Sequence, residues 1–503
     1  MCHLVTWETF LNYRFERWAF VFALPLGLLL AIRPKAGFFV IGVMVCALVV
    51  MAIPTQRLVY AATVMAPFTF TGRLTTGNLM IPVAQVLAFL VAMSALLRLG
   101  PAPLFAKSRP MRILIFWAGY VAVLAVFAAR SSDKYLSNSW AIGRSAPNIA
   151  PIVSGVYFGI DLLVAATVAH CLRVGIVTIE GLLRSLRNGA IAASLISATF
   201  WLISTLRISL PGPLAAQFPP TVLIGGFVRT AAPFLEANFL AGYLGVMVPI
   251  LLWGRLTARL NLRPWQLSIL LCVLFMTFSV FGFVVLIIGT VGVLLVDPES
   301  RRSPITLVGG GALMIVMIVL FAGNLRTIPA FGRLTNTSVS SSTTVQQRVF
   351  LIQEAGRIWQ SSPLVGVGPS NYGLAILADR TPAFNRAFGL GSPQVIPNNV
   401  FAQILAEQGI FGVVLMLLFL ASCLRPRRRA ILSLRSRVVL VTPVLLAWLA
   451  SPTLLLSYYW IIIGLTVAER DDKTVDNSAK ANADLRLARP STLNKIRRRG
   501  EVY

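Results

Sequence analysis

The chain is poor in charge, and poorest in acid. Only 12% of its 503 residues are charged, and 17 Asp and Glu face 44 Lys and Arg. A water-soluble fold of this length needs a far more charged surface, so that class is excluded. Histidine is nearly absent: His3 and His170 are the only two. No outward group of His, Asp and Glu has metal-ligand spacing, and no metal or other cofactor is expected. The five cysteines are Cys2, Cys46, Cys171, Cys272 and Cys423, and all but Cys2 lie in or beside apolar segments. They also lack ligand spacing and read as small buried hydrophobes. Strand-like alternation is missing, which argues against an outer-membrane barrel. Paired, Gly/Pro-broken spans in two similar halves are missing too, which argues against a secondary transporter.

What the chain has in abundance is apolar sequence. It is 57% hydrophobic, with a mean hydropathy of +0.80. Spans are predicted near 18–32, 37–53, 58–70, 79–99, 113–129, 152–174, 189–205, 237–254, 266–280, 283–296, 305–322, 400–424, 438–450 and 453–467. The fold class is therefore all-α, a polytopic helical membrane protein with about 12–14 transmembrane helices. Residues 266–296 and 438–467 are basic at both flanks, so each is predicted to be a hairpin of short helices. The first span is expected to serve as an uncleaved insertion signal.

The formal charge of +27 is largely topological information. Basic loops at 100–112, 175–188, 255–265, 297–304 and 425–437 mark the cytoplasmic side, and both termini fall there. The basic residues are scattered through short loops, which argues against nucleic-acid binding. Four regions follow: N-terminal spans over 1–322, an extracytoplasmic loop over 323–399, C-terminal spans over 400–468, and a polar basic tail over 469–503. The tail lacks hydrophobic periodicity and reads as disordered.

The long loop carries Arg326, Arg333, Arg348, Arg357, Arg380 and Arg386 against Glu354 and Asp379, and no lysine. Arginine on the outer face opposes the usual charge bias. Its planar fork matches phosphate oxygens in pairs, where lysine offers a point charge. Contact with lipid headgroups or plain solvation is the competing account. Within the loop, 343–360 has Val345, Val349, Ile352 and Trp359 at helical spacing. This predicts an amphipathic helix that lies on the membrane or roofs a cavity and presents Arg348. Gly366 and Gly368 after Pro363 form a turn, or weakly a phosphate loop. Asn398 or Asn399 is placed to cap the next span, and either could donate to a sugar hydroxyl. Glu407 and Gln408 lie two turns into that span. Polar groups there face an interior cavity. Upstream, Arg229, Glu236 and Asn238 stand where another span begins.

These stretches share a pattern with a known family. Arg348, Glu354 and the run Pro363-Leu364-Val365-Gly366-Val367-Gly368, then Asn399, Leu405 and Gly409-Ile410-Phe411-Gly412, resemble the core of the bacterial O-antigen ligase and polymerase superfamily. Arg229 and Asn238 resemble that family's arginine and asparagine ahead of a mid-chain span. The resemblance covers roughly 220–260 and 340–415. It implies a glycan transferase at the outer face of the bacterial inner membrane. The donor would be a saccharide on a polyprenyl diphosphate, and the acceptor a glycan or glycolipid hydroxyl. Other polysaccharide assembly proteins would be further partners. Arg229 and Arg348 match the family's diphosphate-holding arginines. Asn238, Glu354, Arg357, Asn398 and Asn399 are the expected substrate-binding residues. One departure stands out: Asn398 occupies the place of a histidine usual in the family's ligases. Either a carboxylate replaces it as base, with Glu236 the first choice ahead of Glu354 and Asp379, or proton removal is late and left to water. A salt bridge to a nearby arginine is the competing role for each carboxylate. The missing histidine favours repeat-unit polymerisation over ligation. A flippase of an anionic lipid-linked saccharide and a non-catalytic scaffold are the alternative functions.

Overall fold

The computed structural model describes residues 48, 50, 52–69, 73–76, 79–99, 108–131, 150–215, 218, 222–224, 227–296, 343–378, 397–427, 429–451 and 454–469. The predicted spans at 18–32 and 305–322, most of 37–53, about half of the long loop and the basic tail lie outside these residues.

The described chain is helical. In order it forms α1 Thr55–Met65, strands β1 Arg73–Thr76 and β2 Leu79–Pro82, α2 Val83–Ser94, α3 Arg109–Ser131, α4 Ala150–Arg173 and α5 Ile179–Thr205. Then come β3 Val222–Ile224, β4 Phe227–Arg229, α6 Ala237–Leu256, α7 Pro264–Met276 and α8 Val280–Val296. The last group is α9 Thr343–Ser361, α10 Tyr372–Ala378, α11 Val400–Leu424, α12 Leu434–Ala450 and α13 Ser457–Val467. Among the described residues, five helices are long and apolar enough to cross a membrane: Arg109–Arg130, Ala150–Arg173, Ile179–Thr205, Ala237–Leu256 and Val400–Leu424.

Two small hairpins interrupt the helices. β1 pairs antiparallel with β2, and β3 with β4. The span predicted to start at 79 therefore starts as a strand, and its helix begins only after Pro82. Two-residue turn signals, Gly77-Asn78 and Gly225-Gly226, stand between the paired strands.

Helix α6 is the axis of the bundle. Tyr243, Leu244, Val246, Met247, Ile250, Leu251 and Trp253 are all buried, and a membrane helix apolar on every side belongs inside protein. Small residues allow close crossings around it. A Cβ on Gly245 would lie 2.7 Å from the Gly282 carbonyl of α8. A Cβ on Gly464 of α13 would lie 2.7 Å from the Ala165 carbonyl of α4.

Both predicted hairpins form. α7 and α8 are separate helices with the polar residues Thr277 and Ser279 between them. α12 and α13 return to the same face, where the Ile431 amide donates to the Ala468 carbonyl at 3.1 Å. Arg427 Nη1 meets Glu469 Oε1 at 2.7 Å on that face. There Arg437 closes the end of α11, its Nη1 donating to the Cys423 and Arg425 carbonyls at 2.7 and 2.9 Å. A cation at a helix C-terminus also meets the favourable end of its dipole. The polar centre of the bundle is Asp161 of α4, fully buried and accepting from Ser457 Oγ at 2.8 Å.

Candidate functional site

Arg229 is the last residue of β4 and is half-buried. Its Nε donates to the Thr277 carbonyl at 2.7 Å, and its Nη2 donates to Asn238 Oδ1 at 3.0 Å. Ser279 Oγ donates to the same Asn238 oxygen at 3.0 Å. The guanidinium is thus held between the start of α6 and the junction of α7 with α8. The strand carrying it is tied down as well. The Thr230 amide donates to the Met276 carbonyl at 3.3 Å, and Thr230 Oγ1 donates to the Ser197 carbonyl of α5 at 3.0 Å. Ser197 Oγ in turn donates to the Ala232 carbonyl.

Glu236 precedes α6 as its N-cap residue, in extended backbone, and makes no side-chain cap bond. Arg348 lies on the second turn of α9 and reaches the same place. The charges of Arg229, Glu236 and Arg348 all act on one another. Burial raises the Glu236 carboxyl above its ordinary value, while Arg229 and then Arg348 pull it down. Its side chain stays open to solvent. Burial lowers both guanidiniums, and Glu236 opposes that shift in each. Arginine starts so high that both remain cations at neutral pH. The centre therefore sets two guanidiniums against one carboxyl group. Arg348 makes no hydrogen bond to any described residue, and its Nε is buried without a partner. An unpaired buried guanidinium is costly and calls for an anionic occupant.

The other predicted substrate residues stand elsewhere. Arg357 follows Arg348 by nine residues, which at ~100° per residue places it on the opposite side of α9. It pairs with Glu354, Nε to Oε2 at 2.8 Å. Asn399 caps α11: its Oδ1 accepts from the Ala402 amide at 3.0 Å, and its Nδ2 donates to the Leu449 carbonyl at 2.8 Å. Asn398 is half-buried beside it. Asp379 and the other loop arginines, Arg326, Arg333, Arg380 and Arg386, lie outside the described residues. Among the described residues, no three His, Cys, Asp or Glu side chains group as metal ligands.

Helix α9 roofs the site, though not by the predicted stripe. Val349 and Ile352 are 48% and 47% exposed. The buried face is Leu351, Ala355 and Ile358, packed on Tyr372, Ala375 and Ile376 of α10 and on Ala402 and Ala406 of α11. The apolar residues fall on two faces, one toward protein and one left for the membrane surface. The roof is then fastened by main chain. The Val367 and Gly368 amides donate to the Ala406 and Glu407 carbonyls at 3.0 and 2.8 Å. The Ile410 amide donates to the Pro363 carbonyl at 2.9 Å.

Helix α11 breaks at Gly409, with φ 65° and ψ −164°, to make those bonds possible. Any side chain there would place a Cβ 2.3 Å from the Leu364 carbonyl. A Cβ on Gly366 would lie 2.5 Å from the Glu407 carbonyl carbon. The glycine run is thus a docking strap, and its amides are spent on α11. Helix α3 holds the residue before the break: Trp117 Nε1 donates to Gln408 Oε1 at 2.8 Å, and Tyr120 Oη donates to the Gln408 carbonyl at 2.7 Å. Glu407 accepts from Gln403 Nε2 at 3.2 Å and from the Ser370 and Tyr372 amides.

Thr277 and Ser279, which position Arg229, escaped sequence reasoning. They stand about 40–50 residues away in sequence. The available signal was two polar residues at the junction of two short apolar helices.

These features define a class: a polytopic helical membrane protein with a roofed, cation-rich centre at one end of its bundle. Residues 265–417, a little under a third of the chain, match the family model described as O-antigen ligase, which supports the likeness to the O-antigen ligase and polymerase superfamily. The matched region runs from the start of α7 into α11 and includes Ser279, Arg348 and the glycine strap. Arg229, Glu236 and Asn238 lie ahead of it. No curated protein matches the chain. That match supports a membrane glycan-transferase role in general terms, with a lipid-linked saccharide and a glycan acceptor as the substrate classes it implies.

Proposed function

We propose that the protein transfers a saccharide from a polyprenyl-diphosphate carrier to an acceptor hydroxyl at the outer face of the bacterial inner membrane. The observation that carries this reading is the convergence of Arg229 and Arg348, from segments over a hundred residues apart, around one carboxylate. Two guanidinium forks suit a diphosphate. The acceptor oxygen attacks the anomeric carbon, the bond from that carbon to the diphosphate oxygen breaks, and the diphosphate leaves with the electron pair. Arg229 and Arg348 stabilise the negative charge that grows there. Glu236, ionised and open to solvent, takes the acceptor's proton and passes it to water. Asn238 and Ser279 act as positioning residues for Arg229.

Asn398 stands where ligases of the family carry a histidine. An amide is not basic near neutral pH, so the proton falls to Glu236. This difference favours polymerisation of repeat units over ligation of a finished chain.

The test is transfer by purified protein from a lipid-diphosphate-linked saccharide. Arg229→Ala and Arg348→Ala are each expected to lower the rate by about 100-fold or more, the scale for losing one donor to a developing oxyanion. Undiminished product from both variants would remove the diphosphate clamp.

A further inference from the structure

The far end of the bundle holds a second arginine cluster that the transfer chemistry does not use. Helix α5 runs away from the Arg229 centre toward its own N-terminus, where Arg184 and Arg187 sit three residues apart on one face. The start of α7 brings Arg263 alongside. Arg187 is the link: its Nη1 donates to the Asn261 carbonyl at 2.9 Å, fixing α5 to the turn that precedes Arg263. Both Arg184 and Arg263 are near enough to repel Arg187.

Among the described residues, no carboxylate forms a salt bridge with these three charges. Glu180 precedes Arg184 by one turn, yet Arg184 Nε donates to its backbone carbonyl at 3.3 Å. None of the three arginines forms a salt bridge with a described residue. Arg187 also donates from Nε and Nη2 to Asn188 Oδ1, at 3.1 and 3.0 Å, which fixes its plane without neutralising it. Arg184 and Arg263 are exposed. Next to Arg263, Trp265 is 51% exposed, an amphipathic ring of the type that settles at headgroup depth. Three gathered cations at a helix crossing, beside an interfacial indole, match the chemistry of a phosphodiester with acyl chains attached.

We infer that Arg184, Arg187 and Arg263 form a binding site for the phosphodiester headgroup of an anionic phospholipid, in the leaflet opposite the transfer site. The phosphate takes the guanidinium hydrogens that no protein group uses, and the acyl chains lie along the apolar faces of α5 and α7. The distribution of basic loops makes this the cytoplasmic leaflet.

Native mass spectrometry of the full chain in detergent tests the site with two lipids, phosphatidylglycerol and phosphatidylcholine of equal chain length. The wild type is expected to hold phosphatidylglycerol at least tenfold more tightly. Arg184→Gln with Arg263→Gln should abolish that preference while leaving phosphatidylcholine binding unchanged. Both side chains are exposed, so the variant keeps the Arg187–Asn261 contact and its fold. Equal retention of phosphatidylglycerol by the variant overturns the proposal. So does displacement of the lipid by inorganic phosphate at the same concentration, which would assign the cluster to free phosphate.

Discussion

Two regions of this molecule bury arginine and use it in opposite ways. Where α11, α12 and α13 meet, Arg437 is 1% exposed, and its Nη1 serves two carbonyls at the end of α11. Arg427 beside it donates to the Val467 and Thr466 carbonyls as well as to Glu469. Those guanidiniums complete helix ends. At the roofed centre, Arg229 is held from one side only, and Arg348 is bonded to no described residue. The difference shows that burial alone does not mark a functional arginine. The Nε of Arg427, Arg437 and Arg348 are all buried without a partner; what separates Arg348 is that its Nη atoms bond no described residue either.

That contrast predicts opposite signatures for the same substitution. Arg348→Ala should cost transfer about 100-fold or more and leave the melting temperature near that of the parent. Arg437→Ala should leave two helix-end carbonyls without their donor and destabilise by roughly 2 kcal/mol. A thermal melt would show that loss, while the transfer rate per folded molecule stays level. If Arg437→Ala proves silent in the melt, the structural role assigned to that region is wrong.

Smaller effects sharpen the picture. Gly409→Ala forces a side chain into positive φ against the Leu364 carbonyl, a strain of about 2 kcal/mol. Limited proteolysis should then cut the 363–368 strap faster, and transfer should fall with it. Glu236→Gln bears on the proton. With Glu236 as base, the wild-type rate rises with pH as the carboxyl ionises, over a range somewhat above the ordinary one for glutamate. The amide should remove that rising limb, and a profile identical to the parent's would assign the proton elsewhere. The least effect is expected from Arg357→Ala. Its side chain is 41% exposed and its partner is three residues back on the same helix, so stability should move by no more than about 0.5 kcal/mol and transfer hardly at all.

The sequence showed the bundle more readily than its edges. α11 spans the residues its hydrophobic run predicted, 400–424, and Asn399 is the one of the two candidate asparagines that caps it. α5 begins ten residues before its predicted start, at Ile179. Arg184 and Arg187 looked like loop, yet arginine stems can lie along an apolar helix with the charge at the surface. On α9, counting apolar residues found the helix but picked Val349 and Ile352, which stay exposed, over Leu351, Ala355 and Ile358, which pack. Periodicity cannot say which of two apolar faces meets protein. Arg229 and Glu236 stood out as candidates because charge at a span boundary is costly, while Arg348 and Asn238 rested on the resemblance to a known family. Thr277 and Ser279 did not stand out, because a hydroxyl or carbonyl facing an arginine leaves no trace in composition.

The break at Gly409 also decides what can be cut from this protein. The small core beneath the roof is shared: Leu351, Ala355 and Ile358 come from the segment between α8 and α11, while Ala402 and Ala406 come from α11 before its break. The loop between α8 and α11 therefore owns only part of its own interior. An excised loop for antibodies or soluble crystals would expose that half-core and collapse or aggregate. The smallest piece able to hold its shape must take the outer turns of α11 with it, up to the glycine where the chain changes direction.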